Sequence, residues 1–352
     1  MMDRAKFLNA LSNANKALKG TNEELNICAQ SGKIEISGAS QNLCIWSRTE
    51  GDMADMQIAV KASSIIAALQ KLPDEVIQVS LTDAGLNLSG KCAKVMLPVF
   101  EFKDHARSKD FESEVKTEHL APYVEQVVHA LDPHGFNPLM SALYLEVFEN
   151  GGFQLTALDG RRYSLRNTAG KGSKKVSEFV VFGKEFNEAL KLLGDGEVTI
   201  YRPKSENFIR LVNEELEIQI GLAEGRYFNL NALKSTFPIH VLLKREEMEA
   251  AADLVRLMSN VALIDLTATE MVIVGRDVIG ETETRIPVKS KGIDPDRTIR
   301  TAFNCQFLLD ALKNLTATDV MIHLKDGMNQ FCITDGRYSI EMILPVRREH
   351  RH

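Results

Sequence analysis

The chain is short of most features that would place it in a chemical class. Its five cysteines (Cys28, Cys44, Cys92, Cys305 and Cys332) are scattered and form no C-x-x-C pair. That excludes a disulfide framework and reads as reduced, cytosolic thiols. No apolar run reaches the roughly 18 residues of a membrane span. Asp3, Arg4 and Lys6 interrupt the N-terminus, so no signal-peptide core is expected. The histidines show no ligand spacing, which argues against a metal. There is no G-x-S-x-G elbow. Gly170-Lys171-Gly172-Ser173 lacks the earlier glycine of a phosphate loop and precedes a strand, so it reads as a hairpin tip. Asp159-Gly160-Arg161-Arg162 reads as a tight turn with two exposed cations. No catalytic constellation emerges, and the expectation is a non-enzyme without cofactor. Positive charge is also in deficit, with 42 Lys and Arg against 48 Asp and Glu, a net −6. Spread evenly, that balance would argue against binding nucleic acid.

What the chain does have is a repeat. Ile66 to Leu72 followed by Glu75 to Val79 matches Asn187 to Leu193 followed by Glu197 to Ile200. Both match Leu309 to Leu315 followed by Asp319 to Ile322. Each copy is the end of an amphipathic helix, a turn and a strand. Leu69, Leu190 and Leu312 anchor them at spacings of 121 and 122 residues. That period is too long for a solenoid unit and suits a small domain. The expected division is residues 1–115, 116–238 and 239–352.

Hydrophobic periodicity predicts helices over 3–19, 62–72, 120–131, 184–193, 244–260 and 304–315. Alternating strands fill most of the remainder, among them 142–148, 179–182 and 261–266, and Ile299 to Phe303 leads into the last helix. Each module then holds two helices and about eight antiparallel strands, an α+β class. Two helices cannot cover both faces of so many strands, so both are expected on one side with sheets on the other. A rotating repeat of this kind closes into a ring or grows a filament.

If the helices share a face, its own charge matters more than the total. Counted with their flanking residues, over 3–19, 61–72, 116–131, 183–194, 244–260 and 300–315, the helical windows sum to +4, which leaves −10 for the rest of the chain. A modestly basic helical face suits loose, sequence-independent contact with phosphates. Lysines decorating solvated helices would give the same count.

Several short stretches together resemble one family, the bacterial DNA polymerase III beta subunit or sliding clamp. Leu155-Thr156-Ala157-Leu158-Asp159-Gly160-Arg161-Arg162-Tyr163 resembles its "A-T-D-G-H-R-L" segment. Leu257-Met258-Ser259-Asn260 resembles its "I-L-S-N" helix end. Phe303-Asn304 to Leu315, then Met342-Ile343-Leu344-Pro345-Val346-Arg347, resemble its last helix and terminal "V-M-P-M-R". Gly225-Arg226-Tyr227 resembles its "G-R-F-P-D-Y" linker. The likeness runs in order through the chain. It implies three clamp-type domains, and a head-to-tail homodimer that closes a ring around double-stranded DNA with helices lining the hole. The ring tethers the polymerase III catalytic subunit, the clamp loader and other proteins with clamp-binding motifs, in the bacterial cytoplasm at the nucleoid, without chemistry of its own.

The family's peptide pocket, carried over position by position, falls on Met140, Leu158, Gly160, Arg161, Arg162, Tyr163, Leu233, Met328, Met342, Leu344, Pro345, Val346 and Arg347. The candidate DNA-facing cations are Arg4, Lys6, Lys16, Lys61, Lys71, Lys184, Lys191, Arg300 and Lys313. Phe102, Leu257 and Met258 match the positions that close the ring. Departures are also legible. Leu158, Arg161 and Tyr163 replace the family's Thr, His and Leu, and Tyr227-Phe228-Asn229-Leu230-Asn231-Ala232 lacks the proline and arginines of the linker. Phe136-Asn137-Pro138-Leu139 lacks a base where some members touch DNA, and the tail runs past Arg347 to His352. The alternative is a scaffold that binds peptides without encircling DNA.

Overall fold

In a computed structural model of the chain, Leu69, Leu190 and Leu312 occupy one position in three copies of a single pattern, each wholly buried. The structure describes residues 1–346 except 21–22, 106, 108–110, 133, 135–136, 171, 205–206, 234–235, 279 and 337, and omits the side chains at 112–113 and 232–233.

The first copy runs β1 (Met2–Asp3), α1 (Arg4–Asn15), β2 (Glu24–Gln30), β3 (Lys33–Ala39), β4 (Leu43–Glu50), β5 (Met56–Lys61), α2 (Ala62–Lys71), β6 (Val76–Thr82), β7 (Gly85–Ser89) and β8 (Lys94–Leu97). The second runs β9 (Phe111–Thr117), α3 (Leu120–Glu125), β10 (Ala142–Phe148), β11 (Phe153–Leu158), β12 (Arg162–Asn167), β13 (Lys175–Phe182), α4 (Gly183–Leu193), β14 (Val198–Pro203), β15 (Phe208–Val212) and β16 (Leu216–Gly221). The third runs β17 (Ile239–Lys244), α5 (Arg245–Arg256), β18 (Val261–Leu266), β19 (Glu270–Asp277), β20 (Gly280–Pro287), β21 (Lys289–Lys291), β22 (Ile299–Asn304), α6 (Cys305–Lys313), β23 (Asp319–Leu324), β24 (Phe331–Thr334) and β25 (Ser339–Ile343). Every copy is therefore a strand, a helix, four strands, a helix and three strands, with β21 as the one addition. This is the α+β, three-repeat organisation that the spacing implied.

All strand pairs are antiparallel. The sheets are ordered β1-β6-β7-β8, β5-β2-β3-β4-β16-β15-β14-β9, β13-β10-β11-β12-β25-β24-β23-β17-β21 and β20-β19-β18-β22. Strands of different repeats meet twice, β4 with β16 and β12 with β25. The chain forms two compact units, residues 1–120 with 185–222, and residues 121–184 with 223–352.

The helices are amphipathic and bury one stripe. Ala62, Ile65 and Leu69 of α2 are buried at helical spacing, as are Met248, Ala251, Ala252 and Val255 of α5. In the third repeat, α5 and α6 share one core with the inward residues of β17, β18, β19, β23 and β24. Asp3 caps α1 by accepting from the Lys6 N–H, and Asn304 caps α6 by accepting from the Phe307 N–H. Among the described residues no helix is long and apolar enough to cross a membrane.

Four elements differ from the sequence reading, one of them the helix expected over 244–260, which runs only Arg245–Arg256. The helix expected over 3–19 ends at Asn15, and Lys16, Ala17 and Leu18 then bond three residues back. Asn13 and Asn15 are poor helix formers at its end. The helix expected over 120–131 is α-helical only to Glu125 and resumes as one 3-10 turn at Val128–Ala130. Val124, Val127 and Val128 are β-branched and resist a longer helix. Arg300, expected at the entry to a helix, lies on β22 opposite Asp265. Alternating Ile299, Thr301 and Phe303 carry that strand. The sequence reading also lacks the strands β1, β9, β17 and β21: β9 and β21 are charged sheet edges that hide the apolar alternation, and β1 and β17 run directly into the helices that follow them.

Candidate peptide pocket and its surroundings

The pocket candidates converge on one row of the nine-stranded sheet. Leu158 of β11 stands opposite Tyr163 of β12, and Tyr163 stands opposite Met342 of β25. Cys332 of β24 and His323 of β23 continue the row. Side chains directly opposite on one face are neighbours, so five residues far apart in sequence form one surface. Leu158, Met342 and Cys332 are buried floor, whereas Leu344, two residues beyond Met342, is 47% exposed. Burial pushes the Tyr163 phenol well above its usual range, so it stays neutral.

The rim is held by backbone. Asp159 Oδ1 accepts from the Arg161 and Arg162 N–H groups, each at 2.8 Å, and Gly160 takes the turn with φ +83°. A Cβ at Gly160 would stand 3.3 Å from Met140 Cε, so glycine admits Met140 to the turn. The Leu344 N–H donates to the Arg161 carbonyl at 2.8 Å, and the Val346 N–H to that of Ala302 at 2.8 Å. Those bonds carry the chain end past Pro345 along the rim. Met328 is 79% exposed on the loop before β24. Leu233 lies in a 3-10 turn at Leu230–Leu233, with its side chain outside the described residues, as is Arg347.

Arg162 is not a free cation. Its Nε lies 2.8 Å from Asp159 Oδ2, its Nη1 lies 2.7 Å from Asp310 Oδ2, and its guanidinium stacks 4.3 Å over the Phe307 ring. Asp310, Phe307, Cys332 and His323 were not among the sequence candidates. Strand register and the face of α6 join them to the site, and neither is written in local sequence.

The cation candidates divide. Lys6 and Lys16 lie exposed on and just after α1, Lys71 and Lys313 in the last turns of α2 and α6, and Lys184 and Lys191 on α4. Lys61 is the half-buried N-cap residue of α2. Arg4 instead donates from Nε to the Asp74 carbonyl and from Nη1 to the Leu69 carbonyl, both at 2.8 Å, and so closes the end of α2. Arg300 is exposed, 3.6 Å from Asp265.

Of the ring-closing candidates, Leu257 at the C-terminal end of α5 is 68% exposed, with Leu254 a turn before it at 42%. Met258 is half-buried beside Gly280. Ala250, Ala251, Leu254, Ile286 and Pro287 line an open cleft of about 400 Å³ between α5 and β20. Phe102 is half-buried in the segment after β8, where Val99 and Phe100 are exposed, as is Met96 on β8 itself. Asn26 ties that segment to β2, bonding the Lys103 carbonyl and N–H.

The chain is thus a repeat-built α+β fold with an apolar row where β12 meets β25 and an exposed apolar end on α5. The fold is that of the DNA polymerase III beta subunit. Superposition on the beta subunit of Streptococcus pyogenes gives a TM-score of 0.89 over 99% of both chains at 19% identity. The Pseudomonas aeruginosa subunit gives 0.88 over 99% of both at 16%. In sequence, the beta sliding clamp of Bacillus subtilis is 21% identical over 347 residues, 92% of this chain and 91% of that protein. No family model matches the chain. Likeness at this distance, spread over nearly the whole length, fits a divergent member of the beta sliding clamps.

Proposed function

We propose that this chain is a DNA polymerase processivity factor, a homodimeric sliding clamp that encircles duplex DNA and tethers polymerase and other partners at the β12–β25 pocket. One observation supports ring closure above the others. In the first two repeats the strand that ends the run β2-β3-β4 or β10-β11-β12 pairs with the last strand of the following repeat: β4 with β16, and β12 with β25. By that rule β20 needs a last strand from a further repeat, and β8 is a last strand with no such partner. Both are sheet edges. A second copy satisfies both at once, head to tail, and a two-fold pairing closes the assembly. An unpaired edge is otherwise a standing invitation to aggregate. Exposed Glu281 and Glu283 on β20 against Lys91 and Lys94 at β8 are complementary in charge.

On this reading the helical faces look toward the duplex. Lys6, Lys16, Lys61, Lys71, Lys184, Lys191, Arg300 and Lys313 are the contact candidates, while Arg4 acts through α2. Partners are peptides with apolar anchors, and an adaptable floor containing methionine suits several of them. Tethering raises the polymerase's effective concentration at the primer end without new chemistry. The chain acts in the bacterial cytoplasm, on the nucleoid.

The test is topological. Protein loaded on nicked circular DNA should be retained through gel filtration and lost once the circle is cut to a linear form. Equal retention on both would leave a peptide-binding scaffold with ordinary DNA affinity as the better reading.

A further inference from the structure

The face of the β12–β25 seam that looks away from the pocket row carries a buried ion pair. Arg166 is 0% exposed and Glu341 2%. Arg166 Nη2 lies 2.7 Å from Glu341 Oε1. The other guanidinium N–H groups are also used. Nε donates to Gln126 Oε1, Nη1 to the Leu165 carbonyl and Nη2 to the Asn314 carbonyl, each at 2.8 Å. Glu341 Oε1 also accepts from Ser164 Oγ at 2.7 Å, and Oε2 lies 3.2 Å from His129 Nε2. The Asn314 amide nitrogen approaches His129 Nδ1 at 3.3 Å, which leaves the imidazole N–H pointing at Glu341. The network joins the end of α3, the turn after it, the end of α6 and both strands.

Stability alone is a poor reason for such a pair, since desolvating two charges offsets most of their attraction and apolar replacements of similar volume are often as stable or more so. The chain contains its own comparison. At the corresponding seam of the first repeat, one face is apolar, with Ile45 opposite Ile218 and Leu43 opposite Ile220, and the other buries Glu217, which meets Arg48 at 2.6 Å and Arg210 at 2.8 Å. One face of a seam can thus be zipped by apolar residues alone. What distinguishes the second seam is that its buried charge pair lies on the face behind the pocket row. In register, Ser164 opposes Glu341 and Arg166 opposes Ser339, while between and beside them Tyr163 opposes Met342. A slip of one residue would turn Tyr163 and Met342 inward. An apolar seam tolerates such alternatives, whereas a buried charge pair has one satisfied register.

We propose that Arg166 and Glu341 are positioning residues for partner binding: their pair fixes the register of β12 on β25 and so sets where Tyr163 and Met342 stand. This rests on the pocket reading above. The test uses the full chain, a short fluorescein-labelled peptide with adjacent Leu and Phe, and the methyl resonance of Met342. The swap Arg166→Met with Glu341→Leu should melt at or above the wild-type temperature, bind the peptide about tenfold or more weakly, and show more than one Met342 signal. Glu341→Gln, which keeps the size of the side chain, should weaken binding in the same direction. One Met342 signal with wild-type affinity in both variants would overturn the proposal. Unfolding of the swap would overturn it too, because the pair would then be serving stability. Leu344→Ala in the wild-type background is the separate control. Unchanged peptide binding there would sink the pocket reading, and the Met342 signal would still report on the lock.

Discussion

Three of the five thiols sit where a thiolate cannot be solvated. Burial pushes Cys44 and Cys332 up to about 12 and Cys305 to about 11. Cys305 Sγ also donates to the Ala252 carbonyl at 2.9 Å. Cys92 is the exposed one. In native protein at neutral pH, a maleimide should modify Cys92 first and leave Cys44, Cys305 and Cys332 protected until unfolding, as mass spectrometry of peptides would read. Rapid labelling of Cys332 would mean that the pocket floor opens. Next to Cys332, His323 has its pKa lowered, mainly by burial and then by His240. Their Nδ1 atoms are 2.8 Å apart, so the two rings share one proton between them, and His323 Nε2 lies 3.0 Å from Thr334 Oγ1. The folded protein binds a proton at His323 less readily than the unfolded chain. Its contribution is therefore complete above the ordinary value of 6.5 and declines as pH falls toward the lowered folded value. Melting temperature should drop on acidification in that window, and His323→Gln should flatten the drop.

Elements carry the surfaces. The end of β25 presents Met342 and Leu344 where β12 presents Tyr163, and truncating both should remove the peptide's apolar seat. Met342→Ala with Leu344→Ala is expected to abolish polymerase stimulation, with losses of roughly 2 kcal/mol or more for a central anchor. The dimer should survive, since β25 contributes to neither free sheet edge. An intact stimulation assay would show that partners dock elsewhere. The end of α5 makes the opposite prediction. Leu257 is 68% exposed and Leu254 42%, a local apolar stripe that water disfavours. Leu257→Asp should shift the protein toward monomer in analytical ultracentrifugation, about tenfold or more in the dimerisation constant, without lowering the melting temperature of the monomer. Unchanged sedimentation would place the subunit contact away from α5. The helices were the legible elements, because their apolar spacing is regular in α2, α4 and α6. The edge strands β9 and β21 were not, because an edge needs charge more than alternation.

At the scale of the whole molecule, a chain of net −6 is an improbable DNA ligand only if its charge is uniform. The helical windows counted with their flanks are basic, but α1 to α6 as folded sum to zero, and the cations in excess, such as Lys16, Lys19, Lys61 and Arg300, stand on the segments beside the helices. A closed ring needs no strong grip, so on circular DNA retention should change little with salt, whereas binding to open linear DNA should fall steeply.

The sequence by itself determined the threefold period, the two helices per repeat, the absence of a membrane-spanning run and the segments whose likeness points to clamps. These are local or periodic properties, and side-chain pattern writes them directly. Tertiary structure alone decided that Leu158, Tyr163, Met342, Cys332 and His323 share a row, that Arg4 closes a helix, that Arg162 is held between two carboxylates, and that Arg166 meets Glu341 inside the fold. Strand register brings Leu158 into one row with Met342, 184 positions further on. Which partners they meet depends on pairing energies summed over whole strands, and no local window contains that sum.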